Sequence, residues 1–571
     1  MKNENRQWWK ETVIYQLYPR SFKDTNGDGI GDIPGIISKL DYLESLGIGL
    51  IWLNPVYVSP NDDNGYDISD YEAIQPSFGT IADFNTMLAG LHNRNIKLLM
   101  DLVANHTSDE HPWFVESRKA RDNPYRDYYH WWPAERGKPP HRFSFFDPKK
   151  DAWYYDVATD SYYLHYFSNK QPDLNWENPK VRKEIYQQMR FWLEKGVDGF
   201  RMDAISYIAK DTRWPEVSEE ELKEKYQNDW SYFYSKGPKL HEYLQEMNRE
   251  VLSQFKNIVT IAEAPGIEKE EALLFVHKDR KELDMLYHFK GMDLGYVRNV
   301  FKRPDPEGYS LVEFKKLYTE WDEAYADAGW GTIYLGNHDQ PRMLSRWGND
   351  SSEFRIPSCK LLMTFLLTMR ATPIFYNGDE LGMANITFED INDYRDIETL
   401  TMYQYMKSLG KEDAVTQFLQ DQQFAARDNS RTPFQWTAAE NAGFTTGEPW
   451  IKINSDHIYI NEEAQNTDGN SPLHYFRALV KFRKERLELV YGKYTLYDAL
   501  HEQVYTYTRI LDNKGILVIL NFSKDLVHYT IPASLKIKSY DPLLNNETSV
   551  QVEDHTLILL PYQALLFELH L

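Results

Sequence analysis

The sequence predicts an α/β protein: a (β/α)8 barrel (TIM barrel) with an inserted subdomain after its third strand and a C-terminal antiparallel β-domain. Three observations predict it. Short β-branched and aromatic runs alternate with helix-like stretches through eight units. One interval between these runs is far longer than a normal βα loop. From about Tyr491 the alternation stops, and strand-like runs follow one another without helices. Eight alternating units imply a parallel sheet closed by its helices. An open dinucleotide-binding sheet is the alternative, but no Gly-x-Gly-x-x-Gly marks a strand–helix turn.

The strands are read in order at Thr12–Tyr18, Gly49–Leu53, Lys97–Leu102, Gly199–Ala204, Ile258–Ala262, Leu283–Tyr287, Thr332–Leu335 and Pro373–Tyr376. Helical stretches between them include Ile36–Leu46, Ile81–Asn93, Lys180–Lys195 and Leu240–Phe255. The long interval follows the third strand and is rich in aromatics and proline, among them Trp113, Phe114, Tyr128, Trp131 and Trp132. It reads as a small domain at 107–175. The barrel takes 1–106 and 176–490. The β-domain takes 491–571, with strands at Val504–Arg509, Ile516–Asn521 and Thr556–Leu560.

Composition narrows the function classes. A chain of 571 residues, 42% hydrophobic and 15% aromatic, buries a sizeable core and is not disordered. A formal charge of −22 argues against nucleic acid or an anionic membrane as partner. The one cysteine, Cys359, leaves no internal disulfide and no cysteine-based zinc site. The first residues carry no apolar leader, and the longest apolar stretch, Leu361–Met369, is too short to span a bilayer. A soluble, cytoplasmic protein is expected.

Active sites of such barrels gather at the C-terminal ends of the strands. There the sequence places Asp101-Leu-Val-Ala-Asn-His106, Gly199-Phe-Arg-Met-Asp203, Ile261-Ala-Glu263 and Gly336-Asn-His-Asp339. One such carboxylate is often a plain salt bridge; four strands delivering carboxylates to one face point to chemistry. Arg201 and Asp203 are two apart on a strand and face the same side. A guanidinium beside Asp203 should lower its pKa and keep it ionised, as a nucleophile needs. Glu263, near other carboxylates in a partly apolar place, should stay protonated as a general acid. A nucleophile and an acid about 5 Å apart are the parts of a retaining glycosidase.

These ordered motifs, with Gln171-Pro-Asp-Leu-Asn175 at the end of the inserted domain, resemble glycoside hydrolase family 13, the α-amylase family, in its oligo-1,6-glucosidase and α-glucosidase branch. The resemblance covers nearly the whole chain. It implies Asp203 as nucleophile, Glu263 as acid/base and Asp339 as the carboxylate that grips the 2- and 3-hydroxyls of the sugar. It implies that His106 and His338 bond hydroxyls of the terminal glucose and that Arg201 positions Asp203. Tyr66 would be the stacking platform, with Asp63 beside it and Phe167 and Arg427 as further substrate-binding residues. Arg431, in Arg427-Asp-Asn-Ser-Arg431, would pair with Asp63 and close the non-reducing end, which is the structural reason for exo action.

Asp24-Thr-Asn26-Gly-Asp28-Gly-Ile30-Gly-Asp32 sets oxygen donors at alternating positions, like the first part of an EF-hand loop. Gly35 stands where that loop has its closing glutamate. The resemblance implies one structural Ca²⁺ held by Asp24, Asn26, Asp28, the Ile30 carbonyl and Asp32, and no organic cofactor. A turn held by its own Asx hydrogen bonds is the alternative.

The chain departs from the branch in places. Ala204 follows the nucleophile where members carry Val or Thr, and Phe289-Lys290-Gly291 replaces Phe-Glu-His. Linkage preference is therefore open. The segment Asp293–Asn299 lacks the Arg-Leu-Asp-Arg-Asp run of sucrose isomerases. The expected function is a retaining exo-α-glucosidase on short oligosaccharides, isomaltose-type bonds first. A transglucosidase or sugar isomerase is the alternative, and a non-catalytic glucosidase-like scaffold the remote one, opposed by the complete carboxylate set. The substrate is a small oligosaccharide; the oligomeric state is left open.

Overall fold

The computed structural model describes residues 6–570 apart from 227–231, 236, 299, 327, 411, 536–538, 548–549 and 554–555. Eight parallel strands form the core: β1 (Ile14–Leu17), β2 (Leu50–Leu53), β3 (Lys97–Val103), β4 (Gly199–Asp203), β5 (Val259–Glu263), β6 (Met285–Tyr287), β7 (Thr332–Ile333) and β8 (Thr372–Tyr376). They pair in the order β6-β5-β4-β3-β2-β1-β8-β7. A parallel bridge between Leu286 and Gly331 joins β6 to β7 and closes the ring. Every residue of β1, β2, β4 and β5 is buried, as expected of strands covered by helices on one side and barrel filling on the other.

Gly199 is required where it stands. Its φ is 138°, and a Cβ there would sit 1.8 Å from the Val259 carbonyl oxygen. Only glycine lets the start of β4 approach β5 so closely, and this sets the register that pairs Arg201 with Ile261. The helix at Ile81–His92 begins on a capping box, Thr80 and Asp83, which satisfies N–H groups at its start. The stretch read as one helix at Ile36–Leu46 is two, Ile33–Ser38 and Leu40–Ser45, interrupted at Lys39. The helix read at Leu240–Phe255 stops at Glu250 and continues as a 3-10 turn, Leu252–Gln254.

Two excursions build the rim. After β2 a hairpin, Tyr57–Val58 with Asp70–Ile74, carries Asp63 and Tyr66 on its loop. After β3 the chain forms a three-stranded antiparallel sheet of Trp131–Pro133, Trp153–Asp156 and Ser161–Leu164. It returns through a bridge between His106 and Asp173. A helical hairpin, Ile397–Ser408 and Glu412–Ala425, follows β8.

The C-terminal domain stacks two antiparallel sheets. One contains β9 (Lys493–Tyr497), β10 (Val504–Leu511) and β11 (Lys514–Asn521), completed by Ala564–His570 and Ser539–Asn545. The other contains Val527–Tyr529, Thr556–Leu559 and Gln551–Glu553. One face of the larger sheet joins the barrel core through Tyr505, Ile516, Val518 and Leu566. Lys315 pins the junction: its ammonium donates to the carbonyls of Asp498, His501 and Val504 at 3.0, 2.6 and 3.2 Å. Among the described residues no helix is long and apolar enough to cross a membrane.

Candidate active site

A cavity of about 400 Å³ opens at the C-terminal ends of the strands. Asp63, Tyr66, His106, Phe167, Asp203, Glu263, His338, Asp339 and Arg427 all line it. Arg201 and Arg431 stand behind this lining, each bonded to carboxylates that belong to it.

The floor is organised around Arg201, which is 1% exposed. Strand pairing sets it opposite Asp101, and its Nη1 donates to Asp101 Oδ1 at 2.6 Å and to Asp203 Oδ1 at 2.7 Å. Its Nη2 donates to Glu263 Oε1. Burial pushes Asp101 up to about 6. It also raises Asp203, although Arg201 opposes the shift and a hydrogen bond from Glu263 lowers it further. Sequence reasoning expected Arg201 to depress Asp203. The correction is that one guanidinium divided among three buried acids does not outweigh their desolvation. Glu263 is raised well above the ordinary range by burial and by the Asp203 charge. A carboxyl–carboxyl hydrogen bond needs one proton, which the two acids hold as a pair.

Ala204 lies between these two carboxyls in sequence and space. Its backbone is left-handed, φ 41° and ψ 37°, and this turns its N–H onto Glu263 Oε2 at 2.7 Å. The conformation is uncommon for a residue with a Cβ, and it sits at the reacting centre. Ala204 lines the cavity beside Tyr207.

The opposite wall is cation-rich. Arg427 Nη1 donates to Asp339 Oδ1 at 2.9 Å, and its Nη2 reaches Asp63 Oδ1 at 3.3 Å. Arg431 donates through Nη2 to Asp339 Oδ1 and through Nε to the His338 carbonyl, both at 3.0 Å. The Asp63 partner is therefore Arg427 and not Arg431, as the sequence had suggested. The two arginines lie one helical turn apart on Asp428–Arg431 and its N-cap, so both point the same way and Arg427 is the nearer to Asp63. Burial alone would raise Asp339, but His338, Arg427 and Arg431 hold it far below the usual carboxylate range. Asp63 is pushed up to about 8 by burial, which its arginines only partly offset.

The aromatic parts frame the sugar-sized space. Tyr66 stacks on His338 with centroids 5.2 Å apart and planes 13° apart. Phe167 tilts against His106 at 5.1 Å. Burial lowers His106 to about 4 and His338 to about 3, so both imidazoles are neutral near pH 7.

Sequence reasoning missed several residues. Asp396 is buried and accepts from both Arg427 and Arg431, which bring it to about 2 against the burial that would raise it. Gln171, read only as part of a motif, donates to Asp63 Oδ2 at 3.1 Å. Phe146 lies under the Arg427 guanidinium at 4.9 Å. Lys302 and Glu398 pair at the cavity mouth. Only Gln171 carried a sequence signal; the others come from loops and, for Glu398, the helix Ile397–Ser408, whose order along the chain says nothing of their meeting.

The Asp24–Asp32 loop lies outside this cavity, against 443–450. Asp24 Oδ1 accepts from the N–H groups of Asn26 and Gly27, and Oδ2 from that of Gly29 and from the Thr445 hydroxyl. Asn26 and Asp28 accept from the N–H two residues on, and Asp32 caps the next helix through Gly35 N–H. Among the described residues no three His, Cys, Asp or Glu side chains form a metal cluster.

Residues 16–492 match the family described as "Alpha amylase, catalytic domain", and 504–566 match "Alpha-amylase SusG C-terminal domain". The chain belongs to the α-amylase family. As a member it is a glycoside hydrolase, and the two matched segments correspond to the barrel and the C-terminal β-domain. The oligo-1,6-glucosidase of Parageobacillus thermoglucosidasius is 50% identical over 568 residues, covering 99% of this chain and 100% of that protein. That of Bacillus cereus is 47% identical over 564 residues, with 99% and 100% covered. Among solved structures, isomaltulose synthase from Klebsiella sp. LX3 superposes with a TM-score of 0.94 at 43% identity, covering 99% of this chain and 100% of the other.

Proposed function

We propose that the chain is a retaining, exo-acting α-glucosidase that hydrolyses terminal α-glucosidic bonds of short oligosaccharides, with isomaltose-type α-1,6 bonds preferred. The observation that carries this reading is Arg427 bridging Asp63 and Asp339 across one end of the cavity. A site closed there admits a terminal glucose and stops a through-running chain. In this reading Asp203 attacks C1, and the glycosidic C–O bond breaks as Glu263 gives its proton to the leaving oxygen. Glu263, now ionised, takes a proton from water as that water attacks C1 and releases Asp203. Two inversions give net retention. Proton NMR of the first glucose released from isomaltose should show the α-anomer; the β-anomer would sink the mechanism.

The likeness to isomaltulose synthase favours one second reading, isomerisation of sucrose. Against it stands the missing Arg-Leu-Asp-Arg-Asp run in Asp293–Asn299; Asn299 itself lies outside the described residues. Product analysis on sucrose and isomaltose separates the readings: free glucose supports hydrolysis, an isomeric disaccharide the alternative.

The Asp24–Asp32 loop is proposed to hold one Ca²⁺. Its donors are all oxygens, as a hard cation requires, and each Asx N–H bond on Asn26 and Asp28 uses one lone pair of an oxygen that has two. Asp24, Asn26, Asp28, Asp32 and the Ile30 carbonyl would hold the ion, which would stiffen the loop. Chelator should lower the melting temperature and Ca²⁺ restore it. An unchanged melting curve with no metal by elemental analysis would leave the Asx turns as the loop's whole support. The cytoplasm is the proposed location, in keeping with one buried thiol at Cys359.

A further inference from the structure

The geometry points to Gln16, on the first barrel strand, as the positioning residue that decides which nitrogen of His338 carries the proton. Gln16 is fully buried, and nothing in its sequence context marks it as part of the site.

A chain of hydrogen bonds with forced directions runs from Asp101 to His338. Asp101 receives Arg201 on Oδ1 and the Trp52 indole N–H on Oδ2, both groups that only donate. As a carboxylate it only accepts, so the Tyr66 hydroxyl, 3.1 Å from Oδ2, donates to it. Having spent its one hydrogen, Tyr66 accepts from Asn54 Nδ2 at 2.7 Å. Asn54 is thereby oriented with its Oδ1 toward Gln16 Nε2, 3.0 Å away. The same Nε2 lies 2.8 Å from His338 Nδ1.

An amide nitrogen has two hydrogens and accepts nothing. One hydrogen goes to Asn54 and the other to His338, so Nδ1 of His338 accepts. His338 is held neutral by burial, so its single proton is on Nε2, 3.2 Å from Asp339 Oδ2. The chain thus ends on the acceptor-only carboxylate of Asp101 at one side, and at the other the Nε2–H faces the Asp339 carboxylate. Such a chain needs one link that donates in both directions, and the Gln16 amide is that link. Turning the amide over would set its oxygen against Asn54 Oδ1. The cost of holding it is visible: Gln16 Oε1 is buried without a hydrogen-bond partner. The opposite tautomer would aim a lone pair at Asp339 and remove the donor that His338 presents to the cavity. The inference rests on the reading of His338 and Asp339 as sugar-gripping groups.

The test is ¹⁵N NMR of the ligand-free enzyme labelled on histidine, with the His338 signals assigned by their loss in His338→Asn. Wild type should show Nδ1 bare and Nε2 protonated. In Gln16→Met, which keeps the length but offers no donor, the proton should divide between the two nitrogens, and kcat/KM should fall about tenfold, the worth of one hydrogen bond beside a charge. If Nε2 alone stays protonated in Gln16→Met, the assignment is wrong. Should that variant not fold, Gln16→Leu decides by the same spectrum and the same two outcomes. Because the spectrum needs no substrate, it stands or falls separately from the glucosidase reading.

Discussion

On one side of the cavity Arg201 alone serves Asp101, Asp203 and Glu263; on the other, Arg427 and Arg431 together serve Asp339 and Asp396. Asp101, Asp203, Glu263 and Asp396 are buried, and Asp339 keeps about a quarter of its side chain exposed. Those around Arg201 are raised, Glu263 most of all, and those around the arginine pair are lowered. Desolvation raises the acids of both clusters, so the positive groups opposing it set the difference: His338, Arg427 and Arg431 around Asp339, but Arg201 alone among three acids on the other side. A cluster short of cations keeps a proton and can trade it. A cluster matched in cations stays ionised and can only bind. Asp63, reached by one arginine at 3.3 Å, falls with the first group at about 8.

The largest test of this contrast is in the reacting cluster. Asp203→Asn should lower kcat roughly 10⁴-fold with the fold intact, since an amide is nearly isosteric but not nucleophilic. Glu263→Gln should cost roughly 10²–10⁴-fold on isomaltose, and clearly less on nitrophenyl glucoside, whose leaving group needs little protonation. Equal losses on the two substrates would mean that Glu263 is not the proton donor.

Next comes the binding cluster. Arg427→Ala leaves Asp339, Asp396 and Asp63 short of a buried cation, which should destabilise by about 3–5 kcal/mol. It should also raise Asp339 toward the range of the opposite cluster. Denaturant melts give the first effect, and the acid limb of the kcat/KM profile, moved to higher pH, gives the second. An unmoved limb would show that His338 and Arg431 suffice to hold the charge of Asp339.

Stability against pH should separate the clusters by sign. Asp396, at about 2 against a usual 3.8, binds fewer protons folded than unfolded in that interval. Its contribution is present above the unfolded value and is lost as pH falls from about 4 to 2. Asp63, at about 8, binds more protons folded than unfolded, so it costs stability as pH rises from about 4 to 8. Asp63→Asn should flatten the decline in melting temperature over that higher interval, and Asp396→Asn the acid limb. If both variants shifted the same limb, cation count would not be the governing quantity.

The smallest effect is expected at Ala204, beside the reacting pair. Ala204→Val fills space beside Tyr207, and a hydrophobic pocket discriminates about 1–3 kcal/mol per methylene-sized change. The isomaltose-to-maltose ratio of kcat/KM should rise, while Ala204→Thr, which adds a hydroxyl, should lower it. The left-handed backbone at residue 204 adds a cost for branched side chains, so expression and melting temperature should drop slightly in both. A ratio that moves in neither variant would shift attention to Lys302 and Glu398.

The sequence by itself determined the barrel, because eight buried parallel strands must be written as short apolar runs and their helices as longer amphipathic ones. It also determined three carboxylates of the cavity. Asp203 and Glu263 end their strands and Asp339 lies in the segment after β7, and strand ends share one face of a barrel whatever the loops do. It could not decide which arginine meets Asp63, because that contact joins residues 63 and 427 through two independent loops. Nor could it decide the protonation of the acids, since a pKa depends on how many cations surround a group after folding and not on its neighbours in the chain. Gln16 and Asp396 were invisible for the same reason: a buried amide or acid in a sequence has no address until the tertiary structure supplies its partners.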